Sequence, residues 1–114
     1  MINRKNRFHG YNSLRSTYSR GQTVRSGPLS LKFVLNTKRD SSRIAVVISK
    51  KVHKSAVGRN RIRRRIFEIV RLKIPEFSSN ADMIITIFDD SVAEMPAIDL
   101  KQMIEQLLKN AKLV

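Results

Sequence analysis

The sequence predicts an α+β fold, a single domain with element order α-β-β-α-β-α in which helices pack on one face of a small, mostly antiparallel sheet. Three observations predict it. Apolar residues alternate with others over 29–36, while 43–49 and 82–88 are short runs rich in Ile and Val, as strands are. Apolar residues recur at helical spacing over 59–73 and again after Asp99. The chain has 114 residues, 41% of them apolar, which is enough for one modest core and argues against disorder.

The elements follow in order. Residues 1–11 are polar and basic without periodicity and read as a flexible arm. Asn12 or Ser13 caps a short helix that runs to about Arg20, with Gly21 as its stop. Leu14 and Tyr18 lie four apart on one face of it, either as core or as ligand contacts. In the first strand Leu29, Leu31, Phe33 and Leu35 alternate with Ser30, Lys32, Val34 and Asn36. A polar turn over 37–42 joins it to a second strand, so the two read as an antiparallel hairpin. If Ile44, Val46 and Ile48 face the core, Ala45, Val47 and Ser49 line a shallow second face able to receive a ligand. After a basic loop over 50–58, a helix over 59–73 buries Ile62, Ile66, Ile69 and Val70, and Pro75 stops it. Asn60, Arg61, Arg64, Glu68 and Arg71 cluster on its other side, with Arg63 and Phe67 at the boundary. The run 82–88 is a third strand, and Asp99 caps a last helix whose Leu100, Met103, Ile104, Leu107, Leu108 and Ala111 keep helical spacing.

Charge narrows the partners. The net charge is +14, and it is unevenly spread. Residues 1–73 hold 20 Lys and Arg against two acids, Asp40 and Glu68, whereas residues 74–114 hold three Lys against seven acids. One basic face suits a polyanion, because each neutralised phosphate releases counterions. Residues 50–73 contain ten cations and one acid, a density that repels itself along a bare helix. Arginine dominates there (Arg59, Arg61, Arg63, Arg64, Arg65, Arg71), and the guanidinium gives bidentate phosphate contacts and stacks on bases. Nucleic acid is favoured over anionic membrane, which would need a large exposed apolar face.

Other classes find little support. There is no cysteine, hence no thiolate ligand or nucleophile. His9 and His53 are too isolated for a zinc site. No apolar run approaches the roughly 20 residues of a membrane span, and the N-terminal residues lack a secretory apolar segment, so a cytoplasmic protein is expected. Asp82, Asp89, Asp90, Glu94 and Asp99 sit mostly away from the basic stretch, and no catalytic triad spacing, glycine-rich phosphate loop or metalloprotease motif occurs.

Two segments carry a resemblance. Ile48-Ser49-Lys50-Lys51-Val52, followed by Ser55-Ala56-Val57-Gly58-Arg59-Asn60-Arg61-Ile62-Arg63-Arg64, resembles the signature of the bacterial ribonuclease P protein subunit. That family ends a strand in Ser-Lys-Lys and opens its basic helix with Arg-Asn-Arg. Its element order is the same, in a fold like the second domain of a small-subunit ribosomal protein. The resemblance covers nearly the whole chain, with Asn6-Arg7-Phe8, Leu14, Tyr18 and Gly21 also at comparable places.

The resemblance implies a catalytic RNA that uses Mg2+ to cleave the 5′ leader from precursor tRNA, with a protein that binds no cofactor itself and pairs one to one with ribonuclease P RNA. No catalytic side chain and no membrane contact are implied. Lys50, Lys51, Arg59, Asn60, Arg61, Arg63, Arg64 and Arg71 would bind the catalytic RNA. Leu14, Tyr18, Lys32, Val34, Asn36, Ala45, Val47 and Ser49 would line a leader cleft between the first helix and the sheet. A ring above small residues suits single-stranded RNA without base readout. Leu14 replaces a common aromatic, Phe67 stands where a basic residue is frequent, and the loop at 52–55 is one residue longer and lacks a glycine. The alternative is a ribosomal or other non-enzymatic RNA-binding protein. A DNA-binding helix-turn-helix is disfavoured because a strand, not a helix, precedes the basic helix.

Overall fold

The computed structural model describes residues 11–36 and 41–114, with side chains from residue 14 onward. Residues 1–10 of the arm expected over 1–11, and most of the turn over 37–42, lie outside the described residues; Tyr11 belongs to the first helix instead of the arm. The helices are α1 (Tyr11–Arg20), α2 (Ala56–Lys73) and α3 (Ala97–Asn110), and the strands are β1 (Gln22–Ser26), β2 (Leu29–Leu35), β3 (Arg43–Ile48) and β4 (Ala81–Ile87). Among the described residues these four strands form one sheet in the order β1-β2-β4-β3.

Two features of that order correct the sequence reading. Strand β1 is an addition to the expected elements, because Gln-Thr-Val-Arg-Ser is short and polar, as an edge strand tolerates. It pairs antiparallel with β2 through a two-residue turn, Gly27-Pro28. Gly27 takes a positive φ of 56°, which such tight turns require and glycine adopts without strain. The second correction concerns the hairpin: β2 and β3 are not neighbours. Strand β4 lies between them, antiparallel to β2 and parallel to β3. Helix α2 is the crossover that makes a parallel pair possible. The central place goes to β4 because Met83, Ile84, Ile85 and Ile87 are buried, and only an interior strand is covered on both faces.

The core sits on one face of this sheet. Leu29, Leu31 and Phe33 of β2, Met83, Ile85 and Ile87 of β4, and Ile44, Val46 and Ile48 of β3 meet Ile62, Ile66 and Val70 of α2 and Leu100, Ile104, Leu107 and Leu108 of α3. Each such fully buried aliphatic side chain contributes about 1.5–3 kcal/mol over its exposed state. The helical stripes therefore fall where the spacing predicts. The expected α+β sandwich is present, with one refinement of its layers. Helices α2 and α3 share the core face, while α1 lies on the other, where Ile84 is fully buried outside that core.

Helix boundaries differ by a turn in places. Helix α1 begins at Tyr11, so Asn12 and Ser13 lie within its first turn instead of capping it. Helix α2 begins three residues earlier than expected. Ser55 caps it, its Oγ accepting from the Gly58 N–H at 3.2 Å. Pro96 holds the N-cap position of α3, with Asp99 inside the first turn.

Candidate nucleic-acid interface

The first surface is the N-terminal half of α2 with the turn before it. Lys50, Lys51 and Lys54 are exposed, and among the described residues none of them, nor exposed Arg64, takes part in a hydrogen bond or ion pair through its side chain. Arg61 is also exposed, with one loose contact, Glu94 at 3.5 Å. Both partners are well solvated, so that contact contributes little. Arg61 and Arg64 project from a helix anchored by its buried stripe, and the three lysines from the segment ahead of it, which leaves their guanidinium and ammonium groups ready for an anionic partner.

Other arginines of the same stretch are engaged within the protein. Arg59 is half-buried and its Nη1 donates to the carbonyls of His53 at 2.8 Å and Lys54 at 3.0 Å. It fixes the loop ahead of the helix. Gly58 belongs to the same packing: a Cβ there would meet the His53 ring at 2.0 Å, so the ring keeps this place only over a glycine. Arg63 donates to Asn60 Oδ1 at 2.9 Å, which engages the Asn60 amide through its oxygen and not its nitrogen. Arg71 pairs with Glu68 one turn back, and that hydrogen bond holds the Glu68 carboxyl below its ordinary value. Arg65 turns inward, donating to the carbonyls of Val92 at 2.7 Å and Ala93 at 2.9 Å and also to that of Met95. In sequence Arg63, Arg64 and Arg65 form a uniform triplet. In the fold each has a different task.

The second surface is the sheet face under α1. The register places Lys32 beside Ile84, and Ile84 beside Ala45, while Ser30, Thr86 and Val47 lie in the next row. Tyr18 is 40% exposed, and Lys32 Nζ stands 5.9 Å from its ring centroid, a cation–π distance. Leu14, Lys32, Val34, Ala45 and Val47 are half-buried. Tyr18, Lys32, Val34, Ala45 and Val47 are thus brought to one face, as alternation predicts, but β4 separates the β2 set from the β3 set. Ile84 and Thr86 are floor residues that sequence reasoning misses, because a β2–β3 hairpin leaves them no place.

Two expected cleft residues have other occupations. Asn36 lies past the end of β2, where its Nδ2 donates to Asp82 Oδ1 at 2.9 Å. The same carboxylate receives Arg43 Nε at 2.8 Å and Nη2 at 2.6 Å, a buried bidentate pair closing that end of the face. Ser49 follows β3, and its hydroxyl accepts from the Val52 N–H at 3.3 Å, shaping the turn that carries Lys50 and Lys51. Alternation puts Arg43 and Asp82 on the side of their strands away from the core, and the parallel β3–β4 register then sets them side by side.

Comparison with known proteins identifies the family and the fold. Residues 2–112 match the family model described as Ribonuclease P. A ribonuclease P protein component from Pseudanabaena sp. (strain PCC 6903) is 30% identical over 115 residues, spanning 100% of this chain and 97% of the relative. One from Chloroflexus aurantiacus (strain ATCC 29366 / DSM 635 / J-10-fl) is 37% identical over 94 residues, 82% of this chain and 68% of the relative. In fold, the chain is similar to the Staphylococcus aureus RNase P protein, with a TM-score of 0.82 at 24% identity, covering 95% of this chain and 96% of that one. The Thermotoga maritima RNase P protein gives 0.78 at 19% identity, over 91% of this chain and 96% of that one.

Proposed function

This chain belongs to the ribonuclease P protein family, and we propose that it divides the family's work between its two surfaces. It is the protein subunit of an endoribonuclease ribonucleoprotein; it binds RNA and takes part in tRNA processing, with ribonuclease P RNA and substrate tRNA as partners. In our reading the chain acts as a single RNA-binding unit, one copy per RNA, in the cytoplasm. Lys50, Lys51, Lys54, Arg61 and Arg64, with the amide of Asn60, bind the catalytic RNA. Arg59, Arg63 and Arg71 support that face through the contacts described above. Tyr18 and Lys32, above the floor of Val34, Ile84, Ala45, Thr86 and Val47, hold the single-stranded 5′ leader of precursor tRNA.

The observation that carries the proposal is the separation of exposed cations on α2 and the turn before it, of which only Arg61 has a loose ion-pair contact, from a ring–cation pair over a shallow sheet face. Cations without protein partners suit a phosphate backbone. A ring over small residues suits bases that must be bound whatever their identity. The cleavage itself is assigned to the RNA and its Mg2+ ions. The described residues are a poor fit for a metal: no three His, Cys, Asp or Glu side chains come together among them. The test is reconstitution with a bacterial ribonuclease P RNA at low Mg2+. Arg61→Ala with Arg64→Ala should weaken assembly with the RNA, lowering the salt slope of affinity by about one for each phosphate no longer neutralised. Tyr18→Ala should leave assembly intact and reduce discrimination of precursor from mature tRNA. The same defect in both variants would refute the division.

A further inference from the structure

The sheet face under α1 does not stop at Tyr18. Arg25 of β1 pairs with Ser30, one row on from Lys32, and its neighbour Val24 packs on the core, so Arg25 projects onto the Tyr18 side. There its guanidinium lies 4.6 Å from the ring centroid of Phe88, just past the end of β4. Phe88 is 50% exposed, and its N–H donates to the Pro28 carbonyl at 2.8 Å, which puts it at the level of Pro28. Pro28 lies four residues along the chain from Lys32, roughly 13 Å at the rise of a strand. The face therefore carries a second ring–cation pair of the same kind as Tyr18 and Lys32, with the small side chain of Ser30 between them.

Three details give this pair an orientation. The guanidinium is held by two contacts, the Phe88 ring and the Gly27 carbonyl, which accepts from Nε at 3.3 Å, and its Nη groups remain available. The Asp89 carboxylate, next in the chain, is engaged locally, accepting from the Ser91 N–H at 3.0 Å. The parallel register pairs Ile48 with Ile87, so the chain leaves β4 at Phe88 from the same end of the sheet at which β3 leads into Ser49 and the Lys50–Lys51 turn. The pair thus lies at the end of the sheet from which the Lys50–Lys51 turn also leaves.

We propose that Phe88 and Arg25 form a second contact station for the single-stranded leader, Phe88 stacking on a base and Arg25 holding the adjoining phosphate. This inference rests on the reading of the Tyr18 face as the leader cleft. It commits to single-stranded RNA because a solvent-exposed ring beside a cation serves any base, whereas mere ring protection needs no continuity with a phosphate-binding surface.

The test uses the holoenzyme reconstituted with ribonuclease P RNA. Affinity is measured for mature tRNA and for precursors whose leaders run from about two to about sixteen nucleotides, a span that covers a one-domain single-strand site. Phe88→Leu keeps apolar bulk without the stacking face and should weaken binding of long-leader precursors about tenfold, as removal of one stacked base does. Mature tRNA binding should be unchanged, and Phe88→Trp should bind like the wild type. Arg25→Ala should lower the salt slope by about one. The Phe88→Leu and Tyr18→Ala defects should set in at different leader lengths. Wild-type affinity of Phe88→Leu at every leader length, or an equal loss for mature tRNA, would overturn the station. In either case a surviving Tyr18→Ala defect keeps the cleft reading, and absence of both defects removes both.

Discussion

Arg64 and Arg65 are adjacent, identical in type and opposite in task, which makes replacing each by alanine a sharp test. Arg65 donates to three main-chain acceptors, those of Val92, Ala93 and Met95, on the segment between β4 and α3. Val92 and Ala93 are buried, so those carbonyls have little access to water once the guanidinium is gone. At about 1 kcal/mol net per hydrogen bond, at the low end for a charged donor because Arg65 is half-exposed, Arg65→Ala destabilises by about 3 kcal/mol. For a domain of this size that lowers Tm by roughly 12 °C. Arg65→Lys keeps a cation but not the fork, and should recover about a third of the deficit. Arg64→Ala breaks no hydrogen bond or ion pair among the described residues and should stay within about 0.5 kcal/mol of wild type. The assays are urea unfolding of the free protein and RNA affinity across a salt series, at a temperature where every variant is folded. Arg64→Ala should lower the salt slope by about one, and Arg65→Ala should leave it unchanged. Wild-type stability of Arg65→Ala, or a larger salt-slope change for Arg65 than for Arg64, would refute the assignment.

Gly58 and His53 should be strongly coupled. Gly58→Ala alone forces the His53 ring out of its place and should gain nothing, whereas in a His53→Ala background the same change should stabilise by up to about 1 kcal/mol through helix propensity, measured as a double-mutant cycle in urea. Lys73 donates to Glu105 at 3.0 Å, which raises the Lys73 ammonium above and holds the Glu105 carboxyl below its ordinary value. A depressed carboxyl contributes stability above its unfolded pKa and loses it as pH falls through the folded one, while the raised ammonium loses its share only as pH rises past the ordinary lysine range. The difference in urea midpoint between wild type and Lys73→Met should therefore be constant near neutrality and shrink below about pH 4, and it should weaken in salt because both groups are partly exposed.

Much of this molecule can be read from residue order. The stripe Ile62, Ile66, Val70 and the repeat from Leu100 to Leu108 locate two helices and their buried faces, since helical periodicity is a local property. Alternation in β2 separates Lys32 and Val34 from Leu31 and Phe33 for the same reason. Strand order is not legible. Alternation states which face a residue takes but not which strand lies beside it, so it cannot place β4 between β2 and β3, nor Ile84 and Thr86 on the cleft floor. Strand β1 escapes because its signal is a turn, Gly27-Pro28, and not a run of apolar residues.

By itself the sequence determined the fold class, the asymmetry of charge, the basic stretch with its Arg-Asn-Arg opening, and the sidedness of each element. These depend on composition and on spacing of a few residues. Only the tertiary structure decided which arginines face outward. Arg59 reaches loop carbonyls five and six residues back, and Arg65 reaches carbonyls 27 to 30 residues away. Partners that far off are chosen by how α2 lies against the segment after β4, and no local pattern records that. The same holds for Phe88 and Arg25, which are 63 positions apart in the chain and meet because β2 lies between their strands.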